Sequence, residues 1–262
     1  MLRPRIIPCL LIHKNGLVKT QAFKSQRYIG DPINAVKIFN EKEADELLLL
    51  DIDATVNKVE PNYALIAKLA AECRMPLCYG GGIQSVEQAK RIISLGVEKV
   101  AISAAALVNP EIVTLISEAI GRQSVVVVLD VRKQSGFLGK GYELCSHNAK
   151  TTYKLDPVTY ALKMQQAGAG EIVINSVDLD GCLRGYDLEL AQQMYFELSV
   201  PMTMLGGAGS HKDIAMLFGE CGVVGAAAGS LFVFKGKYRA VLINYPSAVQ
   251  KDDICSGSFH IS

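Results

Sequence analysis

Three kinds of residue in this sequence are spaced for chemistry. The first is a set of aspartates at or just beyond the ends of short apolar runs: Asp51, Asp130, Asp178 and Asp180. Asp130 closes the run Val125-Val126-Val127-Val128-Leu129. A carboxylate at such a boundary is held by buried backbone while facing open space, so its surroundings can tune it for general acid or base work. Aspartates there also cap the next helix or orient a lysine. For Asp51 that structural role stands level with a functional one; for Asp130 the catalytic role is the stronger. The second kind is glycine. Gly80-Gly81-Gly82 and Gly206-Gly207-Ala208-Gly209 each follow an apolar run, and glycine admits positive φ and close approach of a ligand to the backbone. The next runs lead into Ser103-Ala104-Ala105 and Ala228-Gly229-Ser230, small residues opening helical turns, where N–H groups and the helix dipole suit a phosphate. The candidate contacts are therefore Gly81, Gly82 and Ser103 in one set and Gly206, Gly207, Gly229 and Ser230 in the other. Asp180, Gly181 and Lys19 join them as further ligand contacts, although Lys19 reads equally well as a solvated lysine. The third kind is charge at the start of apolar runs: Arg5, Glu46, Lys99 and Glu171.

The elements that must position these residues follow from the hydrophobic pattern. Strands are expected at Arg5–Leu11, Glu46–Asp51, Met75–Tyr79, Lys99–Ser103, Ser124–Asp130, Glu171–Asn175, Val200–Leu205 and Gly222–Ala227. They are rich in Val, Ile and Leu with little polar alternation, as strands buried on both faces are. Amphipathic stretches lie between them: Pro32–Ala44, Asn62–Cys73, Val86–Leu95, Pro110–Ala119, Pro157–Ala167, Leu188–Leu198 and Lys212–Gly219. Asn109-Pro110 and Asp156-Pro157 set a capping side chain before a first-turn proline. Eight alternating units favour an α/β (βα)8 TIM barrel over an open doubly wound sheet. An internal repeat supports it. Leu10-Leu11-Ile12-His13-Lys14 matches Leu129-Asp130-Val131-Arg132-Lys133, and Tyr79-Gly80-Gly81-Gly82 matches Leu205-Gly206-Gly207-Ala208, in the same order and about half a chain apart. Two half-barrels related by a pseudo-twofold explain this. In such a barrel the strand-end aspartates and glycine loops share the C-terminal face, where sites form, and each half supplies one phosphate cup. The four charges converge on the opposite opening, where they act as a structural plug or gate a passage.

Length and composition set the remaining bounds. The 262 residues suit one barrel of roughly 250 residues, expected over residues 1–246, followed by a loose polar tail at 247–262. The net charge of +1 and the lack of a basic stripe argue against nucleic-acid binding. The first apolar run is too short for a signal core or a membrane span. Seven cysteines, an odd count without a Cys-x-x-Cys pair, point away from a disulfide framework and toward a reducing cytoplasm. Cys145 and His147 lie close in sequence, but a metal site needs three or four ligands, so no metal and no other cofactor is expected.

With these residues in place, the chain resembles the cyclase subunit of imidazole glycerol phosphate synthase over about residues 1–245. The resemblance is carried by Arg5-Ile6-Ile7-Pro8-Cys9-Leu10, Gly30-Asp31-Pro32, Glu46 through Asp51, Gly80 through Ile83, Val126 through Asp130, Gly168 through Ile172, Asp178-Leu179-Asp180-Gly181, Gly185-Tyr186-Asp187 and Gly206 through Gly209. It implies a glutaminase partner at the N-terminal face. It also implies an ammonia gate formed by Arg5, Glu46, Lys99 and Glu171, and a bis-phosphorylated ligand at the top. The family uses two strand-end aspartates, one per half-barrel. The second matches Asp130, but the first falls on Leu11, which the repeat independently makes the mate of Asp130. Ser103-Ala104 stands where the family has Asn-Thr, Asn175 and Leu205 replace its threonine and serine, and the fifth loop, Val131–Lys154, is rebuilt.

Together with the stretch Phe232 through Pro246, these departures resemble a second-copy branch of the family associated with acetamidino modification of surface-polysaccharide sugars. That branch implies a glutaminase and a separate sugar amidotransferase as partners, and a phosphorylated or nucleotide-linked small molecule as ligand. Three readings stay open: an ammonia-delivering barrel for an amidino sugar, a true imidazole glycerol phosphate synthase subunit, and a non-catalytic conduit or scaffold.

Overall fold

In a computed structural model, which describes residues 3–134 and 141–257, eight parallel strands close on themselves. They are β1 (Arg5–His13), β2 (Leu47–Asp51), β3 (Leu77–Gly80), β4 (Lys99–Ile102), β5 (Val125–Lys133), β6 (Glu171–Ser176), β7 (Met202–Leu205) and β8 (Gly225–Ala228). Each pairs with the next, and β8 returns to β1 with Arg5 opposite Gly225. The outer layer consists of α1 (Pro32–Glu41), α2 (Tyr63–Glu72), α3 (Val86–Ser94), α4 (Glu111–Ile120), α5 (Pro157–Gln166), α6 (Leu188–Glu197), α7 (His211–Cys221) and α8 (Ala248–Ser256). This is the expected TIM barrel. Side-chain oxygens start several helices: Asp31 accepts from the Asn34 N–H, and Asp156 from the Thr159 N–H. Asn109 does similar work from a position just before the regular cap, accepting from the Glu111 N–H.

The two-residue period of the strands sorts the core. On β1, Ile6, Leu10 and Ile12 face the helices, while Ile7, Cys9 and Leu11 face inward. On β5, Val125, Val127 and Leu129 face out, and Val126 and Val128 face in. The same alternation puts Arg5 on the inward row of β1, Asp130 on that of β5, and Glu171, Val173 and Asn175 on that of β6. Each inward row therefore runs from the lower opening to the mouth.

Two features depart from the expected pattern. First, β1 and β5 both run past the barrel rim into antiparallel hairpins. Gly16–Gln21 and Lys24–Gly30 follow β1; Tyr142–Ser146 and Thr151–Tyr153 follow β5. Leu11 pairs with Val18 and Asp130 with Cys145, so the two hairpins occupy matching places in the two halves. The first leans across to the loop after β6, where Thr20 Oγ1 donates to Asp180 at 2.6 Å. The second reaches the loop after β2, where Asn148 Nδ2 donates to the Ile52 carbonyl at 3.3 Å. In the fifth loop, residues 135–140 lie outside the described residues.

Second, the expected loose tail is a helix from Ala248 to Ser256. Ser247 and Gln250 form a capping box, Ile254 is buried, and Lys251 pairs with Asp45 at 2.9 Å. Its apolar residues are too sparse to make a stripe, so the pattern hid it. Residues 258–262 of the tail lie outside the described residues.

Candidate active site

The barrel mouth holds a cavity of about 510 Å³. Leu11, Leu50 and Leu205 form part of its floor; Asp51, Asp130 and Asp180 bring carboxylates to it. Asp130 is the most perturbed of the three. Burial drives its carboxyl up to about 7, the hydrogen bond from Asn175 Nδ2 at 2.9 Å pulls it down, and the charge of Asp180 pushes it up again. A carboxyl near neutrality can both take and give a proton at physiological pH. Its half-barrel mate, Leu11, is buried in the inner cluster at 8 % exposure and supplies no titratable group. Asp51 is also raised, by burial first, against the Asp53 and Ala54 N–H groups that donate to its Oδ1. Those bonds fix the short helix Ala54–Asn57, so Asp51 does the structural work anticipated for it while still lining the cavity.

The two glycine sets take their expected places above the strands, but the space over them is unequal. The large cavity sits over Gly81, Gly82 and Ser103. Gly206, Gly207, Gly229 and Ser230 line a slot of only about 10 Å³ with Asp180 and Gly181. Glycine is required at Gly207, where φ is +107° and a Cβ would strike the Gly185 carbonyl. Lys19 closes this half. It reaches in from the first hairpin, is buried, and donates to the Cys9 carbonyl at 2.8 Å. Its amine also occupies the place a Cβ on Gly229 would take. Inside the slot Ser230 Oγ is buried with no hydrogen-bond partner among the described residues. Such a group suits an anion that brings acceptor oxygens.

At the other end of the barrel the four charges close a ring. Arg5 bonds Glu46 at 2.5 Å and Glu171 at 2.7 Å, and Lys99 bonds Glu46 at 2.8 Å and Glu171 at 3.0 Å. Both glutamates are 5 % exposed. Burial alone would raise Glu171; Arg5, Lys99 and the Thr203 hydroxyl at 2.6 Å outweigh it and hold its carboxyl below the usual range. Beside the ring, Tyr245 donates to the Ile6 carbonyl at 2.8 Å and accepts from the Asp45 N–H, which ties the C-terminal segment to this face.

The residues expected at a site thus gather in three places. Lys19, Gly81, Gly82, Ser103, Asp130 and Asp180 meet at the large cavity. Gly181, Gly206, Gly207, Gly229 and Ser230 meet at the slot, and the four charges at the ring. Asp178 is not at the cavity; its Oδ2 accepts from the Lys133 N–H and braces the fifth loop. Three further residues, none of them among the contacts expected from the sequence, belong to these places. Thr203 completes the hydrogen bonding of Glu171, and its inward place two residues before Leu205 is the only signal for it. Asn175 holds Asp130. His147, at the tip of the second hairpin with φ of +55°, lines the cavity and bonds Ser146 Oγ through Nδ1 at 2.8 Å. Among the described residues, no three His, Cys, Asp or Glu side chains converge as a metal site, and no helix is long and apolar enough to cross a membrane.

Comparison with known proteins identifies the family. The model of the family described as "Histidine biosynthesis protein" matches residues 5–239. The hisF3 protein of Vibrio vulnificus strain YJ016, named provisionally as an imidazole glycerol phosphate synthase subunit, is 55 % identical over 96 % of both chains. The hisF2 protein of Pseudomonas aeruginosa, named in the same provisional way, is 51 % identical over 96 % of this chain and 99 % of its own. The imidazole glycerol phosphate synthase subunit HisF of Lactococcus lactis is 38 % identical over 88 % of this chain and 89 % of its own. The chain therefore belongs to the HisF family of histidine-biosynthesis barrels, and within it to the divergent second-copy members.

Proposed function

We propose that this chain is the ammonia-receiving barrel of a glutamine-dependent complex that builds an acetamidino group on a surface-polysaccharide sugar. One contrast carries the reading: the four-charge ring is complete, while the mouth keeps Asp130 and has Leu11 in the place of a second acid. A closed ring of alternating charge on the inward strand rows can admit a small neutral molecule only by opening. A glutaminase docked at that face would supply the molecule, as ammonia, and the opening. Ring-forming cyclase chemistry asks for two proton-transfer groups, and a leucine cannot be one; losing a positioned acid or base costs roughly 10²–10⁴-fold. An amidine-forming step asks less of the barrel if a separate sugar amidotransferase activates the acceptor. The ligand at the mouth is a phosphorylated or nucleotide-linked molecule whose phosphate meets the glycine loops and Ser230. The carboxyl of Asp130 serves as its general acid or base.

The test is reconstitution. The chain is purified with its glutaminase and given the bis-phosphorylated intermediate of histidine synthesis together with glutamine. The proposal expects glutamine hydrolysis without efficient formation of imidazole glycerol phosphate; efficient formation overturns it. A second reading, a working imidazole glycerol phosphate synthase subunit, draws on the 38 % identity to the Lactococcus lactis subunit. It requires that the gene rescue a histidine auxotroph lacking its own cyclase, and failure to do so from soluble protein removes it.

A further inference from the structure

Two segments from opposite ends of the chain meet beside the slot of Gly206 and Ser230. One is the first hairpin, whose second strand is Lys24–Gly30. The other is the small hairpin after β8, in which Phe234 pairs with Val241 and Lys235 with Ala240. They join at Phe234. The Arg27 guanidinium carbon stands 5.0 Å from the centre of its ring, and that of Arg239 stands 4.9 Å from it. The two cations are therefore no further apart than the sum of those distances. Residues 19–30 and 232–243 hold six lysines and arginines and no aspartate or glutamate, in a chain whose net charge is only +1. The rest of the chain is thus net acidic, and the positive charge at this rim is local.

Neither arginine is answered as Arg5 is at the ring. Neither meets a carboxylate among the described residues. Arg27 is exposed. Arg239 is partly exposed; its Nη2 donates to the Gly181 carbonyl at 3.3 Å, which leaves Nη1 without a partner among the described residues. A guanidinium packed on a ring spends its face and keeps its N–H fork, and that fork fits phosphate oxygens. Two like charges held this close repel, and an anion between them turns the repulsion into attraction. Gly181 ties the pair to the slot, since its carbonyl holds Arg239 and the residue itself lines the slot with Ser230. The Asp180 carboxylate, also at the slot, is engaged by the Thr20 hydroxyl.

We propose that Arg27 and Arg239, set on Phe234, seat the outer phosphate of a diphosphate ester whose inner phosphate lies at the slot. A single phosphate would need the slot alone. The arginine pair adds a second anionic position one residue further out, and two joined phosphates span that step. Such an ester carries one organic group toward the mouth cavity and the other outward over the rim. The diphosphate rests on this geometry; that its outer group is a nucleoside rests on the proposed function, whose nucleotide-linked ligand it specifies. Phe234 and Arg239 lie in the stretch Phe232–Pro246 that marks the second-copy branch, so the seat belongs to the part of the chain that sets it apart.

The test is calorimetric titration of the full chain with uridine diphosphate, pyrophosphate and inorganic phosphate at about 0.15 M salt, where exposed charges are largely screened beyond about 8 Å. Uridine diphosphate and pyrophosphate should bind saturably and at least about tenfold more tightly than inorganic phosphate. The double variant Arg27→Gln, Arg239→Gln should lose that advantage, by about tenfold or more, with inorganic phosphate bound as before. Arg27→Gln alone, on the exposed strand, should lose part of it and serves if the double variant melts early. Lys42→Gln, at an exposed lysine just after α1, removes a charge elsewhere and should change nothing. Undiminished diphosphate binding in folded arginine variants overturns the proposal, as does an equal loss in Lys42→Gln. So do equal affinities for phosphate and diphosphate, exclusion of uridine diphosphate while pyrophosphate binds, or no saturable binding. Efficient imidazole glycerol phosphate formation by the reconstituted complex would sink the proposed function and leave arginine-dependent diphosphate binding standing.

Discussion

The two ends of the barrel treat polar groups in opposite ways. At the lower opening every charge is answered: Arg5 and Lys99 each bond both glutamates, and Thr203 takes up a remaining Glu171 oxygen. At the mouth polar groups are left waiting. Ser230 Oγ has no partner among the described residues, and Asp130 is held near neutrality by burial. Both ends are lined from the same inward strand rows. The difference is that a closed ring satisfies itself, whereas a binding site keeps donors and acceptors for something that arrives. Completeness at one end is a structural property; incompleteness at the other is the signature of a ligand.

The comparison can be broken at its strongest point first. If the mouth does proton chemistry, Asp130→Asn lowers turnover of the reconstituted complex by roughly 10²–10⁴-fold with glutamine hydrolysis retained. Unchanged turnover would make the barrel a pure conduit. The second largest effect is at the ring. Glu171→Ala leaves Arg5 and Lys99 short of countercharge in a mostly buried place and should cost about 2–4 kcal/mol in urea unfolding at neutral pH, reduced from fully buried values because Arg5 is partly exposed. The Glu171 contribution is present above its ordinary 4.5 and is lost as pH falls through its lowered native value, so wild type and variant should converge in acid.

Asp130 works with the opposite sign. Its native pKa lies above the ordinary 3.8, so below about pH 4 both folded and unfolded chains carry the proton and the group costs nothing. As pH rises the unfolded chain ionises first, and the penalty on the native state is complete above about 7. Asp130→Asn should therefore match wild type near pH 4 and exceed it by about 1–3 kcal/mol near pH 8 in chemical denaturation. A smaller effect sharpens the lower end. Ser247→Ala removes the cap of α8 and should cost about 1 kcal/mol, read as faster hydrogen exchange in Ala248–Ser256 with the cavity unaffected.

Much of this contrast is legible in the sequence, and the reasons differ by residue. The strands read clearly because both faces are buried and their composition says so. The ring and Asp130 follow once strands are placed, since a period of two fixes which end of each row they hold. The half-barrel repeat even marks Leu11 as the odd partner. The hairpins are harder. Asn15-Gly16 is a turn signal, but the strand Lys24–Gly30 is mostly exposed and carries no apolar alternation. Helix α8 escapes because Val249 faces solvent and Ile254 alone is buried. Asn175 is visible as a substitution, yet its importance lies in which atom faces Asp130, and that depends on hydrogen bonding between two strands.

The inward rows carry one more implication, for how such a barrel can change over time. Because Arg5, Ile7, Cys9 and Leu11 share a single strand face, inserting or deleting one residue in β1 would turn that entire row toward the helices. Ring and mouth would be lost together. New chemistry at the mouth is therefore reachable only by exchanging side chains in fixed register, or by lengthening the hairpins beyond the rim.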